Sequence, residues 1–188
     1  MQATLDELGP SPPWRVAGSA RALDDPWLRV RVDRCVTLAG DEVSPYYVLE
    51  YPDWVHIVAI DEADRILVTR QYRHARQRAF VELPGGAVDP ADASPMAAAQ
   101  RELREETGHA GGEWCAAGRL AVNPATHTNL VHCFVVRGSS PVTAPKHSPS
   151  EQISSTFVTV NRLYELIDSG DFGQALHVAT LFLALRRR

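Results

Sequence analysis

Cysteine is scarce in this chain: Cys35, Cys115 and Cys133 are the three in 188 residues. Their number is odd, their spacing is wide, and none has a metal-ligand partner at short range, so neither a disulfide framework nor a zinc site is expected. Reduced, mostly buried thiols fit better, and Cys35 and Cys133, flanked by strand-type residues, read as core packing. Long apolar runs are also lacking, which excludes a span through a bilayer and a membrane as partner. Basic charge is in short supply, with 19 Lys and Arg against 23 Asp and Glu and a formal net charge of -4. That balance argues against nucleic acid as a general partner and favours small ligands. The N-terminal MQATLDELGPSPPWRV has no positively charged region followed by an apolar stretch. No secretory signal is expected there, and the cytoplasm is the expected compartment.

What is present is ordinary for a soluble fold, with hydrophobic residues at 45% and charged residues at 22%. The length suits one core with an appended arm. WRVAGSARAL, WLRVRVDRCVTL and YYVLEY alternate apolar and polar residues as half-exposed strands do, giving an N-terminal antiparallel β arm over residues 1–50. VHIVAID and RILVTRQY, separated by the turn-like EAD, read as core strands, and AFVELP ends at a Pro-Gly-Gly corner. SPMAAAQRELREETG predicts a helix with Ser94 as N-cap, Pro95 at the first position and Gly108 as its stop. LVHCFVVRG and ISSTFVTV read as strands on either side of the polar, Pro-rich loop SSPVTAPKHSPSEQ. NRLYELIDSG and GQALHVATLFLALRRR close the chain as helices, with Arg186 to Arg188 as a solvated end. The fold class is α+β.

The segment RELREETGH, Arg101 to His109, poses an electrostatic problem. Glu102, Glu105 and Glu106 crowd into the end of a helix whose dipole disfavours carboxylates, and Glu102 and Glu106 form a like-charged i,i+4 pair. A hard divalent cation with oxygen ligands would resolve it, magnesium above all, because magnesium also bridges to substrate phosphate. A solvated acidic face, partly neutralised by Arg101 or Arg104, is the alternative. Directly before the helix, ELPGGAVDP places two glycines where the backbone could approach a ligand or offer a carbonyl to an ion; a plain strand-to-helix turn is the other reading.

With that corner and those glutamates together, the sequence resembles the Nudix hydrolases, whose box runs G-x5-E-x7-R-E-U-x-E-E-x-G-U with U apolar. GGAVDPADASPMAAAQRELREETGH supplies Gly86, Arg101, Glu102, Leu103, Glu105, Glu106 and Gly108 in that order. Two departures stand out: Asp92 occupies the place of the first box glutamate and is separated from Arg101 by eight residues instead of seven, and His109 replaces the last apolar residue. The N-terminal strands, VHIVAIDEADRILVTRQYRHA, VELPGG and the later Glu151-Gln152-Ile153 are similar to the ADP-ribose pyrophosphatase branch. The resemblance implies a mixed β-sheet packed between helices, an α/β/α sandwich, over residues 51–188, and a homodimer formed through the N-terminal strands.

It also implies a set of roles. Glu102, Glu105, Glu106 and the carbonyl of Gly85 would hold Mg2+, with Mn2+ as a substitute; Glu105, Glu106 and Glu151 would serve catalysis, Glu151 as the base. Arg101 would fix the helix through a carboxylate contact. Arg73 could pair with a phosphate or form a surface salt bridge. Trp27 and Arg29 could stack on a base across a dimer interface, or Trp27 could simply pack. Glu82 is a substrate contact or a strand-end surface residue, and His127 a loop residue facing solvent. The implied activity is hydrolysis of the pyrophosphate linkage in a nucleoside diphosphate sugar, ADP-ribose first. A non-catalytic ADP-ribose sensor and a nucleoside triphosphate pyrophosphohydrolase are the competing readings.

Overall fold

The computed structural model describes residues 13–26, 28–147 and 152–186. They belong to two compact units, Met1–Tyr51 with Asn123–Thr128, and Pro52–Val122 with Asn129–Arg188.

In the first unit, β1 (Arg15–Asp24), β2 (Arg29–Val36) and β3 (Glu42–Glu50) form an antiparallel sheet in the order β1-β2-β3. A buried carboxylate fixes its middle. Asp33 accepts from Arg31 Nε at 2.9 Å and from Ser19 Oγ at 2.6 Å, and these bonds hold its pKa below the usual aspartate value. The segment 123–128 joins this sheet: Leu49 donates its N–H to Thr126 O at 2.7 Å, and the His127 ring stacks on Tyr51.

The second unit contains β4 (Trp54–Ile60), β5 (Ile66–Arg73), β6 (Arg78–Glu82), β7 (Gly85–Ala87), α1 (Pro95–Thr107), β8 (His109–Ala110), β9 (Glu113–Ala121), β10 (Leu130–Arg137), β11 (Ser140–Pro141), β12 (Ser154–Val158), α2 (Val160–Asp168) and α3 (Ala175–Leu185). The main sheet runs β12-β5-β4-β10-β9, with β4 and β10 parallel. β4 is apolar on both sides because both sides are covered. Val55, Ile57 and Ala59 pack with Ala98, Ala99 and Leu103 of α1, while Val58 and Ile60 pack with Leu163 of α2 and Leu181 of α3. The result is the α/β/α sandwich. Leu103 is fully buried, and its truncation to Ala would cost about 2–5 kcal/mol.

Two local features depart from the sequence reading. β9, EWCAAGRLA, is a strand although it is rich in small residues; its pairing with β10 along the whole length supplies what its propensity does not. The Gly-Gly corner is itself strand β7, paired antiparallel to β4 through Trp54↔Ala87, Val55↔Gly86 and His56↔Gly85.

That pairing forks the sheet. β4 and β5 meet only at Ile60↔Ile66; further along, β4 takes β7 as its neighbour and β5 takes β6, from Thr69↔Glu82 to Arg73↔Arg78. Leu83 and Pro84 cross from one side to the other, with Pro84 O accepting from Ile57 N at 2.9 Å. Among the described residues no helix is long and apolar enough to cross a membrane.

Candidate active site

The fork opens into a cleft of about 720 Å³ whose lining includes Glu102 and Glu106 of α1 and Gly85 and Gly86 of β7. Helix α1 is set in place by its cap, Ser94 Oγ accepting from Ala97 N at 3.1 Å, and by its buried face of Ala98, Ala99, Leu103 and Thr107. One turn apart, Glu102 and Glu106 therefore share the side that faces β7. The Gly85 amide donates to Glu106 Oε2 at 3.0 Å. Both glycines are required by close approach. A Cβ on Gly86 would lie 2.4 Å from Glu102 Oε1, and one on Gly85 would lie 2.1 Å from the Val55 carbonyl oxygen.

Arg101 organises the carboxylates from the side. It donates to Asp92 at 3.1 and 2.9 Å, to Glu102 at 2.9 Å, to Glu105 at 3.1 Å and to the Ala87 carbonyl at 3.0 Å. The Asp92 bond, foremost among these contacts, raises the pKa of the half-buried guanidinium further above its ordinary value, and in return Arg101 lowers that of Asp92.

The end of the helix is electrostatically less bare than the sequence suggests. Lys146 donates its amide to Glu105 O at 2.8 Å, Val142 donates to Gly108 O at 2.9 Å, and a ring nitrogen of His147 donates to Glu106 O at 3.0 Å. Carbonyls left without intrahelical partners are thus covered by the loop after β11. Gly108 has φ 75°, and a Cβ there would meet Thr143 O at 2.2 Å.

These features lie inside a stretch that matches a protein-family model, described as the NUDIX domain, over residues 50–179. The chain belongs to the NUDIX domain family. A second model, the nucleoside diphosphate sugar hydrolase N-terminal domain, matches residues 14–49. Among curated proteins, the chain is similar to the methanol dehydrogenase activator of Bacillus methanolicus, 30% identical over 115 residues, covering 60% of this chain and 60% of that protein. It is also similar to an ADP-ribose pyrophosphatase of Mycobacterium tuberculosis, 33% identical over 111 residues, covering 59% of this chain and 54% of the relative. The chain thus spans 54–60% of the length of these two relatives. A solved structure described as an ADP compounds hydrolase superposes with a TM-score of 0.82 at 21% identity, covering 93% of this chain and 94% of that one, which shows a shared fold.

Within this Nudix domain the expected site residues separate. Glu102 and Glu106 come together with Gly85. Glu105 pairs with Arg101 and lines a different cleft, of about 650 Å³, beside Arg104 and Lys146. Among the described residues no three His, Cys, Asp or Glu side chains converge as a metal cage. Arg73 and Glu82 do meet in the fork: Glu82 is buried, and Arg73 Nε donates to its two oxygens at 3.0 and 3.1 Å, with Nη2 adding a further bond. Arg29 lies on β2 and pairs with Asp24 at 3.2 Å. Glu151 and Trp27 lie outside the described residues.

Two residues escaped the sequence reading. His56 of β4 and His177 of α3 line the same cleft and stack with ring centroids 3.9 Å apart and planes 11° from parallel. Burial lowers His56 from 6.5 to about 4 and lowers His177 well below 6.5. The available signal was a single titratable residue in each of two otherwise uncharged, largely apolar elements, VHIVAI and ALHVATLFLAL.

Proposed function

We propose that this Nudix chain hydrolyses the pyrophosphate linkage of a nucleoside diphosphate sugar, converting ADP-ribose and water to AMP and ribose 5-phosphate. The observation that carries the proposal is the Glu102–Glu106 pair in the cleft with its Gly85 anchor. Mg2+, with Mn2+ as a substitute, is the metal proposed. The donor set fits it, because magnesium takes one or two protein carboxylates, retains waters and completes its shell with substrate phosphate. Bound there, the ion would neutralise charge on the diphosphate and on the departing phosphate oxygen.

The protein's own residues divide the remaining work. Glu102 and Glu106 would hold the ion, while Gly85 N–H fixes the Glu106 carboxylate and Arg101 fixes Glu102 from the other side. Glu105, held by Arg101, would complete the ligand set only by giving up that bond, and Glu151 would take the proton from the attacking water. Water oxygen bonds to phosphorus as the bridging P–O bond breaks, leaving a phosphate on each product. Arg73, oriented by buried Glu82, brings positive charge to the substrate phosphates.

A homodimer formed through the N-terminal strands is part of the proposal. Trp14, Val16, Leu23 and Tyr47 leave apolar surface on that unit exposed, which supports it. Trp27 and Arg29 would then serve base recognition. The similarity to an ADP-ribose pyrophosphatase and the match to the nucleoside diphosphate sugar hydrolase N-terminal domain support the substrate class.

The test is a panel of ADP-ribose, GDP-mannose, dinucleotides and nucleoside triphosphates with Mg2+, read by product chromatography. AMP and ribose 5-phosphate from ADP-ribose are expected. Folded protein that cleaves none of them overturns the proposal, and binding without turnover marks a sensor instead.

A further inference from the structure

The stacked histidines are neutral, and their tautomers follow from their partners. Leu83 N–H can only donate, and it meets His177 Nδ1 at 3.2 Å, so that nitrogen accepts and the proton of His177 sits on Nε2. Thr180 gives its hydroxyl proton to Leu176 O at 2.8 Å, so its oxygen accepts from His56 Nδ1 at 3.2 Å, and His56 Nε2 carries a lone pair. The α3 side of the cleft therefore holds one donor and one acceptor on adjacent, parallel rings.

Beyond these bonds and a contact of the His56 ring with the Leu176 carbonyl, no hydrogen bond from a described residue reaches either Nε2. Nor is either sealed in protein: among those residues Asn129 Oδ1 is the one buried side-chain nitrogen or oxygen atom without a hydrogen-bond partner. With each residue only 5% exposed and both lining the cleft, the nitrogens open onto the cleft itself. The nearby Arg73 charge, which further lowers both pKa values, keeps the pair neutral.

We propose that His177 Nε2–H and His56 Nε2 recognise a sugar hydroxyl of the bound nucleoside diphosphate, forming a specificity site on the α3 side of the cleft that holds Glu102 and Glu106. A hydroxyl is the group that can accept from the first ring and donate to the second through a single oxygen. A phosphate or carbonyl oxygen would set its lone pairs against that of His56, and a methylene would leave both nitrogens unpaired. The identity of the ligand rests on the hydrolase reading; the donor-acceptor pair does not.

The experiment compares ADP-ribose with its analogues that lack single hydroxyls on either ribose. Wild-type protein is expected to show a KM about 10-fold higher for one deoxy analogue than for ADP-ribose, the loss of one well-placed hydrogen bond in a site that cannot pair otherwise. His177→Asn keeps an acceptor where Nδ1 stood and removes Nε2–H. It should raise the KM for ADP-ribose by a similar factor, leave that analogue unchanged and spare kcat. Equal losses on every ligand overturn the proposal, as they indicate a packing role. If His177→Asn does not fold, wild-type discrimination alone decides, and equal affinity for ADP-ribose and every deoxy analogue overturns it. If nothing is turned over, the same comparison by calorimetric Kd keeps the two questions apart: discrimination upholds the hydroxyl site while the hydrolase reading falls.

Discussion

Arg101 Nε and Nη2 donate to the two oxygens of Asp92 at 3.1 and 2.9 Å, so the aspartate that stands in place of the first box glutamate, after a lengthened spacer, is tied to the box arginine. The shorter side chain is compensated by the path of the loop. Because the same guanidinium also reaches Glu102, Asp92 would act at one remove on a cation held there. Asp92→Asn is expected to raise the Mg2+ concentration for half-activation roughly 10-fold, in the range of outer-shell changes at metal sites. Substrate KM at saturating metal should stay put, which a magnesium titration at fixed ADP-ribose would check.

Glu106→Gln removes charge from the cleft but keeps an oxygen that can accept from Gly85 N–H. Turnover should fall by at least about 100-fold, since the several kcal/mol that a well-held cation supplies are lost with its ligand. Stability without metal should be unchanged or raised, because one like-charged i,i+4 pair disappears. Thermal melts in EDTA give that comparison; a clear drop there would make the glutamates a structural cluster.

The two glycines should fail differently. At Gly86 an added Cβ meets the end of a flexible side chain, the Glu102 carboxylate, so Gly86→Ala should fold and lose metal affinity. At Gly85 the obstacle is the backbone of Val55, so Gly85→Ala must break β7 away from β4 and should lower the melting temperature by several degrees. Circular dichroism melts alongside Mn2+ binding by electron paramagnetic resonance would separate the two outcomes.

The buried histidines make stability depend on pH. His56 titrates at about 4 when folded and near 6.5 when unfolded, so between those values the unfolded chain binds a proton that the folded chain excludes. Its contribution is present above pH 6.5 and is lost as pH falls toward 4, about 2 kcal/mol by pH 5. His177 acts in the same direction. Asp33 and Asp92, held below 3.8, lose their contributions only at lower pH. Urea midpoints at pH 7.5 and 5 should show the fall, and His56→Asn should flatten it.

The parts legible in the sequence were those whose physics is local. Ser94, Pro95 and Gly108 bracket α1 through capping chemistry, and the like-charged Glu102 and Glu106 of RELREETGH mark the helix face that lines the cleft. Periodicity could not separate Glu105 from its neighbours, because its direction is set by the i,i+4 bond to Arg101 and by the groove beyond it. Nor could it show that PGG is a strand, since both glycines are dictated by neighbours far along the chain, Val55 and Glu102. His56 and His177 become a pair only when β4 and α3 pack.

A β-sheet usually separates the helices on its two faces as a wall does. Where β4 and β5 part, the wall has a window, lined by Glu102 and Glu106 from α1 and by His177 from α3. A single small molecule lying in it can be gripped from both faces at once. Substitutions on α3 can therefore change which molecule is accepted while the acidic residues that would work on it stay untouched, and the two properties are free to evolve on separate helices.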